Sequence, residues 1–413
     1  MLPVLALLTA SAMAAQPKPQ LVVVDQAVAD RFGAKSLDGS PPAFYFAGAT
    51  NASMANRWVL YFKGGGWCID DVSCADRAKT DLGSSTKLAA EFDFPHGFSS
   101  GDCATNPSFC EANRVILWYT DGGSFTGNRE GGVRVGSSTI WYRGHANLRA
   151  IVDVLRADHG LGSATEVLVS GGSAGGLAAY LHADELRAMV ASPRLRVFKA
   201  APASGFFLNH TSAGGGGFVY GAQMRAVFGF MNSSAGVPAA CLARVGPGRG
   251  HECITAAGVW PTMATPTFVQ NSAVDSWQLG CVLTSSPTEP DAPGMRCHSL
   301  PAPWTCLSSW HACPRSPVVD AMAAYRADFL AAWRRDGASD RPGFGGFVHT
   351  CVTHVGSQGD EWDGVTIGGV PFFEAARRWW EGPSDAPAAN NTHLPCELGA
   401  EAPWQCNPSC GKD

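Results

Sequence analysis

A serine among glycines, an aspartate about a hundred residues on and two histidines beyond it are the groups in this sequence with the types and order for covalent catalysis. Ser173 sits in "EVLVSGGSAGGLAAYL" (166–181), a G-x-S-x-G pattern on Gly171, Ser173 and Gly175. A hydroxyl is a poor nucleophile until a base takes its proton and an acid orients that base, in the chain order Ser, Asp, His for this type of turn. Asp275 in "TPTFVQNSAVDSWQ" follows a strand-like run and is the best placed acid, whereas Asp320, Asp328 and Asp336 fall on helix-like or polar stretches. For the base, "GGFVHTCVTHVGSQ" offers His349, inside a strand-like run, and His354, before a loop-like Val-Gly-Ser. A metal site on His349, Cys351 and His354 lacks further ligands, and Cys351 is more simply a disulfide partner. The serine chemistry calls for no metal or organic cofactor.

The elements around these residues carry more weight than the pattern, since 48 glycines make chance matches common. "EVLVS" reads as a strand and "LAAYLHADELRAMV" as a helix, so Ser173 falls where the nucleophile elbow of an α/β-hydrolase must lie. Glycine neighbours let the backbone turn sharply without clashes, and a helix N-terminus brings free N–H groups and positive dipole to a developing oxyanion. A second glycine run, "YFKGGGWC", follows another strand and can approach a substrate closely. The expected oxyanion donors are the N–H groups of Gly66, Trp67 and Ala174.

Short β-branched or aromatic runs ending in Gly, Ser or Asp recur in "RWVLYFKGGGWC", "NRVILWYTDGGSFTG", "ATEVLVSGGSAGG" and "TPTFVQNSAVDSWQ". Helical stretches such as 144–158 lie between them, with Leu148, Ile151, Val152 and Leu155 on one face. This alternation predicts an α/β fold with a mostly parallel sheet flanked by helices, in one catalytic domain over 15–413. The Gly- and Cys-rich region 204–313 reads as loops or a lid inserted around the sheet.

With 46% hydrophobic and 16% charged residues, the 413-residue chain can bury a large core. A net charge of −5, with Lys and Arg spread thinly, argues against a nucleic-acid partner, and no run is long enough for a stable membrane anchor. "MLPVLALLTASAMAAQ" reads as a signal peptide cleaved after Ala14, although its start carries no Lys or Arg. The cysteines number 14, an even count, and the close spacings Cys68/Cys74, Cys103/Cys110 and Cys406/Cys410 suit local staples in an oxidising compartment. Sequons at Asn51, Asn209, Asn232 and Asn390 are glycosylation candidates that agree with secretion. Most of the 13 Trp, Trp379 and Trp380 among them, read as core rather than sugar platforms.

"FKGGGWC", "NRVILWYTDGGSFTG", "VLVSGGSAGGLAAYLHAD", "NSAVDSWQ" and "CVTHVGSQ" together resemble the successive blocks of the pectin acetylesterase/Notum family, secreted α/β-hydrolases that cleave carboxylic esters. The likeness runs in order from about residue 40 to about residue 410. It implies Ser173 as nucleophile, Asp275 as acid and His354, rather than His349, as base, with Gly66, Trp67 and Ala174 as oxyanion donors. Departures are local: plant-type members carry an acidic residue at the position of Lys63 and cysteines at those of Thr120 and Val355. The tail "PWQCNPSC" is more like the Notum branch, and "NSAVDSWQLG" more like the plant branch.

The resemblance implies a secreted serine esterase acting on an acetylated polysaccharide or another acyl ester. Removal of O-acetyl groups from pectin or a related cell-wall polysaccharide is the expected activity. Release of a fatty acyl group from a secreted protein, as in the Notum branch, is the alternative, and an inactive binding protein of the same fold is the second.

Overall fold

The computed structural model describes residues 16–213, 217–284, 317–394 and 404–410. The proposed signal peptide, part of the 204–313 insertion and part of the tail lie outside them. Strands β1 (Gln20–Val23), β2 (Ala43–Ala47), β3 (Arg57–Phe62), β4 (Asn113–Leu117), β5 (Glu166–Gly172), β6 (Val197–Ala203), β7 (Phe268–Ser272), β8 (Gly345–His349) and β9 (Thr392–His393) form one sheet. Their order is β1-β2-β4-β3-β5-β6-β7-β8-β9. The pairs β1/β2 and β2/β4 are antiparallel, and every other neighbouring pair is parallel. The carboxyl ends of β3, β5, β7 and β8 therefore open on one rim, the place where open α/β sheets put their sites.

Period-two alternation gives the sheet two apolar faces. On β3, Trp58, Leu60 and Phe62 point into the larger core, under helices α1 (Gln26–Phe32), α3 (Gly144–Asp158) and α4 (Ala174–Met189). Helices α5 (Val219–Phe230) and α6 (Pro317–Arg334) add Met224, Tyr325 and Phe329 to it. Val59 points the other way, with Leu168, Phe268 and Phe347, beneath α7 (Phe372–Glu381). Trp379 and Trp380 of α7 are buried there, as core residues. Lys199 on β6 donates to the carbonyls of Trp379 (2.9 Å), Trp380 (3.0 Å) and Gly382 (2.8 Å), satisfying groups the end of α7 leaves open. Burial lowers its pKa to about 8.

Helix α2 (Asp71–Arg77) is short and needs its sequence signals: Asp70 accepts from Ser73 N at 2.7 Å in a capping box, and Cys68–Cys74 ties its middle to the preceding loop. Cys103–Cys110 forms as its spacing suggests, and Cys241–Cys253 closes a third local loop. Cys410, however, bonds to Cys351 and not to Cys406. The tail docks on the residues after β8, with Gln405 Nε2 donating to Thr350 O (2.8 Å) and Thr350 Oγ1 to Gln405 Oε1 (2.6 Å). That register, invisible to spacing arguments, sets Cys410 beside Cys351. The insertion after β6 is also more helical than its composition suggests, since its described part contains α5 and the helix Ala239–Val245. Helix α5 is held by burying Tyr220, Met224 and Val227, which outweighs its poor intrinsic propensity. None of the helices among the described residues is long and apolar enough to cross a membrane.

Candidate active site

Strand β5 ends at Gly172 and α4 starts at Ala174, leaving Ser173 between them at φ 59°, ψ −127°. A non-glycine residue rarely holds such angles, and here close packing enforces them. A Cβ on Gly175 would lie 2.1 Å from Phe62 O, and one on Gly64 would lie 2.1 Å from Gly172 O and 3.0 Å from the Ser173 Cβ. The two glycine runs thus press against each other, which larger residues would prevent. Ser173 N donates to Ala203 O (2.9 Å), fixing the turn to β6.

Asp275 follows β7 and caps the helical turn Ser276–Gln278, accepting from Gln278 N at 3.1 Å. It is fully buried, and both its oxygens stand 2.9 Å from His354 Nδ1. Gln278 is held in turn by Tyr325, whose hydroxyl donates to its Oε1 (2.7 Å). The His354 loop is pinned on both sides: Ser276 N donates to Thr353 O (3.2 Å), and Val355 N to Ser204 Oγ (2.8 Å). With Nδ1 taken by Asp275, the imidazole keeps Nε2 shielded from solvent and without a hydrogen-bond partner among the described residues. His349 is differently placed. It is buried at the end of β8, its Nδ1 accepts from Cys351 N (3.2 Å), and burial, against a raising pull from Asp275, lowers its pKa to about 4.

Ser173, His354, Gly66 and Trp67 line one cavity of about 510 Å3. Its loop 64–67 is gripped from behind, one carbonyl at a time. Lys63 Nζ donates to Gly64 O (3.3 Å), Arg77 Nη1 to Gly65 O (2.9 Å) and the Tyr119 hydroxyl to Gly66 O (2.8 Å). In a trans peptide the N–H points opposite to the C=O, so holding the Gly65 and Gly66 carbonyls turns the N–H groups of Gly66 and Trp67 the other way. Arg77 also donates to Leu82 O (3.0 Å) and lies over the Tyr119 ring at 4.9 Å. Ser124, at φ 52°, joins this loop to the elbow: its Oγ accepts from Trp67 Nε1 (2.8 Å) and donates to Ala174 O (2.8 Å). Asp121 accepts from Gly123 N and Phe125 N and so shapes the turn that carries Ser124; burial raises its pKa to about 6.

Two aromatic rings, Trp67 and Trp277, line the cavity with Ser173. Trp67 packs edge-on against Phe207 (5.1 Å), Trp277 (5.7 Å) and Tyr220 (5.9 Å), and Phe207 against Trp277 (5.0 Å). Trp67, Phe207 and Tyr220 are buried. The cavity is also lined by Ser73, Asp76, Thr80 and Asp81 beside Arg77, with Leu82 among them. The sequence reading thus named Ser173, Asp275, His354, Gly66, Trp67 and Ala174, which the fold gathers at one rim, and missed Arg77, Tyr119, Ser124 and Ser204. Tyr119 and Ser124 lie in the block "WYTDGGSFTG", whose glycines were its one visible signal.

Comparison with known proteins gives a consistent setting. The family model for Pectinacetylesterase matches residues 13–411. Pectin acetylesterase 7 of Arabidopsis thaliana is 38% identical over 261 residues, 63% of this chain and 63% of its own length. Pectin acetylesterase 11 of the same plant is 31% identical over 384 residues, 92% of this chain and 89% of its own. The palmitoleoyl-protein carboxylesterase Notum of Homo sapiens is 25% identical over 90% of this chain and 70% of its own. The solved structure of the Wnt deacylase Notum from Drosophila superposes with a TM-score of 0.72 at 20% identity, over 96% of this chain and all of that one, and shares the α/β fold.

Proposed function

The chain belongs to the pectinacetylesterase family, a family of carboxylic ester hydrolases, and from that premise we propose that it removes acetyl groups from a pectin-like polysaccharide through Ser173, His354 and Asp275. The observation that carries the mechanism is Ser173, held at φ 59° in the wall of the cavity that His354 also lines, with Asp275 bound to the far nitrogen of that imidazole. As the Ser173 Oγ bonds to the ester carbonyl carbon, its proton passes to His354 Nε2. Asp275 keeps Nδ1 protonated and stabilises the imidazolium. The negative charge on the carbonyl oxygen is taken by the N–H groups of Gly66, Trp67 and Ala174, the first two set in place before reaction by the bonds from Arg77 and Tyr119. The C–O bond to the sugar then breaks, and its oxygen leaves with the proton from His354. Water, deprotonated by the same nitrogen, attacks the acyl-serine and releases the acid.

A short acyl group fits this site best. Trp67 and Trp277, packed on Phe207 and Tyr220, line the cavity with Ser173, and Ser73, Asp76, Thr80 and Asp81 line it too, a mixed wall that suits a small acyl group on a sugar better than a long chain. Secretion follows from the same reading. Four disulfides among the described residues and the sequons Asn209, Asn232 and Asn390, all exposed, suit an extracellular protein, and the leader 1–14 would deliver it. Asn51 suits a glycan less well, because its Nδ2 donates to Glu111 Oε2 (3.0 Å).

The test is hydrolysis of p-nitrophenyl acetate, octanoate and palmitate by the wild type and Ser173→Ala. Rates that fall steeply beyond acetyl and vanish in the variant are expected. A preference for palmitate would overturn the acetyl assignment in favour of the fatty-acyl alternative, and no turnover of any ester would leave only the binding-protein reading.

A further inference from the structure

Away from Ser173 lies a second cavity, of about 570 Å3, whose charge is out of keeping with the rest of the chain. A protein of net charge −5 places Arg225, Arg244, Arg249, Arg335 and His251 around this one hollow, against a single carboxylate, Glu252. Glu252 is spoken for by Arg249, which reaches both its oxygens at 2.6 and 2.9 Å. Arg244 donates to Gly258 O (2.7 Å). Arg225 and Arg335, both exposed, make no ion pair or hydrogen bond with any described residue. Two unengaged guanidinium groups on one cavity are a site for a carboxylate or another anion of matching geometry.

The same cavity has a feature that narrows the anion. Phe218, 55% exposed, lines it and is the only exposed Phe, Tyr or Trp among the described residues. A lone exposed ring beside basic groups suits a ligand with an apolar face and a negative edge, which is the shape of a pyranose carrying a carboxylate. Arg225 and His251 also border a more open hollow of about 650 Å3, so the groove continues past a single sugar. Its position links it to the chemistry. Phe207 and Tyr220 pack on Trp67 and Trp277 of the catalytic cavity, and their chain neighbours Leu208 and Gly221 line the basic one.

We propose that this cavity is a subsite for uronate units of an acidic polysaccharide, with Arg225 and Arg335 taking the carboxylate and Phe218 the apolar sugar face. The proposal rests on the ester-hydrolase reading with its pectin-like polymer and adds where the carboxylates of that polymer are held, so it concerns binding alone. Asn209 stands on the rim of the cavity, so a glycan on that sequon would cover it. Thr211→Ala removes the sequon while leaving the Asn209 side chain in place, and is the background for the test.

Full-length protein is titrated with fully de-esterified polygalacturonate oligomers, with neutral xylan oligomers of equal length and with polyphosphate, at low and at raised salt. Polygalacturonate is expected to bind, more weakly as salt rises, and xylan not to bind. Arg225→Ala with Arg335→Ala is expected to weaken polygalacturonate binding about tenfold or more, and Phe218→Ala to weaken it about threefold without changing its salt dependence. Turnover of p-nitrophenyl acetate stays at the wild-type level in all three variants, which also reports that they are folded. Equal binding of xylan, equal binding of polyphosphate, or undiminished polygalacturonate binding by the double arginine variant would each overturn the proposal. Loss of p-nitrophenyl acetate turnover in the wild type would instead strike the esterase reading and leave this binding result standing.

Discussion

The two cavities share no lining residue and differ in how their polar groups are held. Around Ser173 nearly every group is fixed: the serine by its turn, Asp275 by burial and by Gln278, and the loop 64–67 by three side chains on three successive carbonyls. Around Phe218 the arginines are exposed, and two of them are unengaged. Reaction rewards groups that need no rearrangement as charge develops, whereas holding a polymer tolerates long, adaptable side chains. The charges differ as well. At the cavity of Ser173 the carboxylates Asp76 and Asp81 are balanced by Arg77 and by Lys79, which pairs with Asp76 at 2.7 Å, while the arginines of the other cavity outnumber its one carboxylate and attract a uronate. A polymer drawn to one cavity by its carboxylates would then present acetylated hydroxyls to the other.

Ser173→Ala breaks this contrast most sharply. It is expected to lower kcat on p-nitrophenyl acetate by about 10⁴-fold or more and to leave polygalacturonate affinity and the thermal midpoint unchanged. Asp275→Asn is expected to cost a similar factor by allowing the wrong imidazole tautomer. Steady-state kinetics beside a melting curve checks both, and substantial turnover by either purified variant would rule out the triad.

Tyr119→Phe probes the fixed cavity without touching substrate. It frees the Gly66 carbonyl and lets the Trp67 N–H swing, so kcat is expected to fall roughly 10- to 100-fold, less than the loss of a whole oxyanion donor, with KM unchanged. Affinity for a trifluoromethyl ketone, which forms the tetrahedral adduct, should fall by the same factor. A raised KM at constant kcat would show that the tyrosine serves ground-state binding instead.

What the sequence disclosed divides along the same line. Ser173, its glycines, the β3 loop and the helix over 144–158 are written in neighbouring residues, where period and turn chemistry act, and so was the α/β class. Arg77 and Tyr119 reach the loop from a helix and from the strand end after β4, and neither residue type marks such a role. The Cys351–Cys410 bond, across 59 residues, depends on how the tail docks. Likewise, the basic cavity draws its arginines from α5, the segment after it and the end of α6, so a linear count saw only thinly spread charge.

Trp277→Ala tests what keeps the catalytic cavity selective. Trp277 lines the cavity and packs on Trp67 and Phe207, and its removal opens apolar space next to Ser173. The ratio of octanoate to acetate turnover, as kcat/KM, is expected to rise about tenfold, since each buried methylene is worth about 0.8 kcal/mol where room exists. An unchanged ratio would mean that chain length is limited elsewhere.

The smallest effect concerns His349, the histidine the proposed mechanism does not use. His349 is held neutral by burial, with its pKa lowered to about 4, so between about pH 4 and pH 6.5 the unfolded chain binds a proton that the folded one does not. Its contribution to stability is complete above that window and is lost as pH falls through it, by up to about 1.4 kcal/mol per pH unit. Asp121, raised to about 6, acts in the opposite sense: from about pH 4 to pH 6 the folded chain holds the extra proton, and stability drops as pH rises. The two slopes offset each other in the wild type. His349→Asn keeps an acceptor for Cys351 N and removes one slope, so in urea unfolding at pH 7, 6 and 5 the variant should gain on the wild type at each acid step. A stability difference that stays constant across those pH values would mean that His349 takes up its proton in the folded protein as readily as in the unfolded chain, and that the end of β8 is wetter than its packing against Phe347 and Phe372 implies.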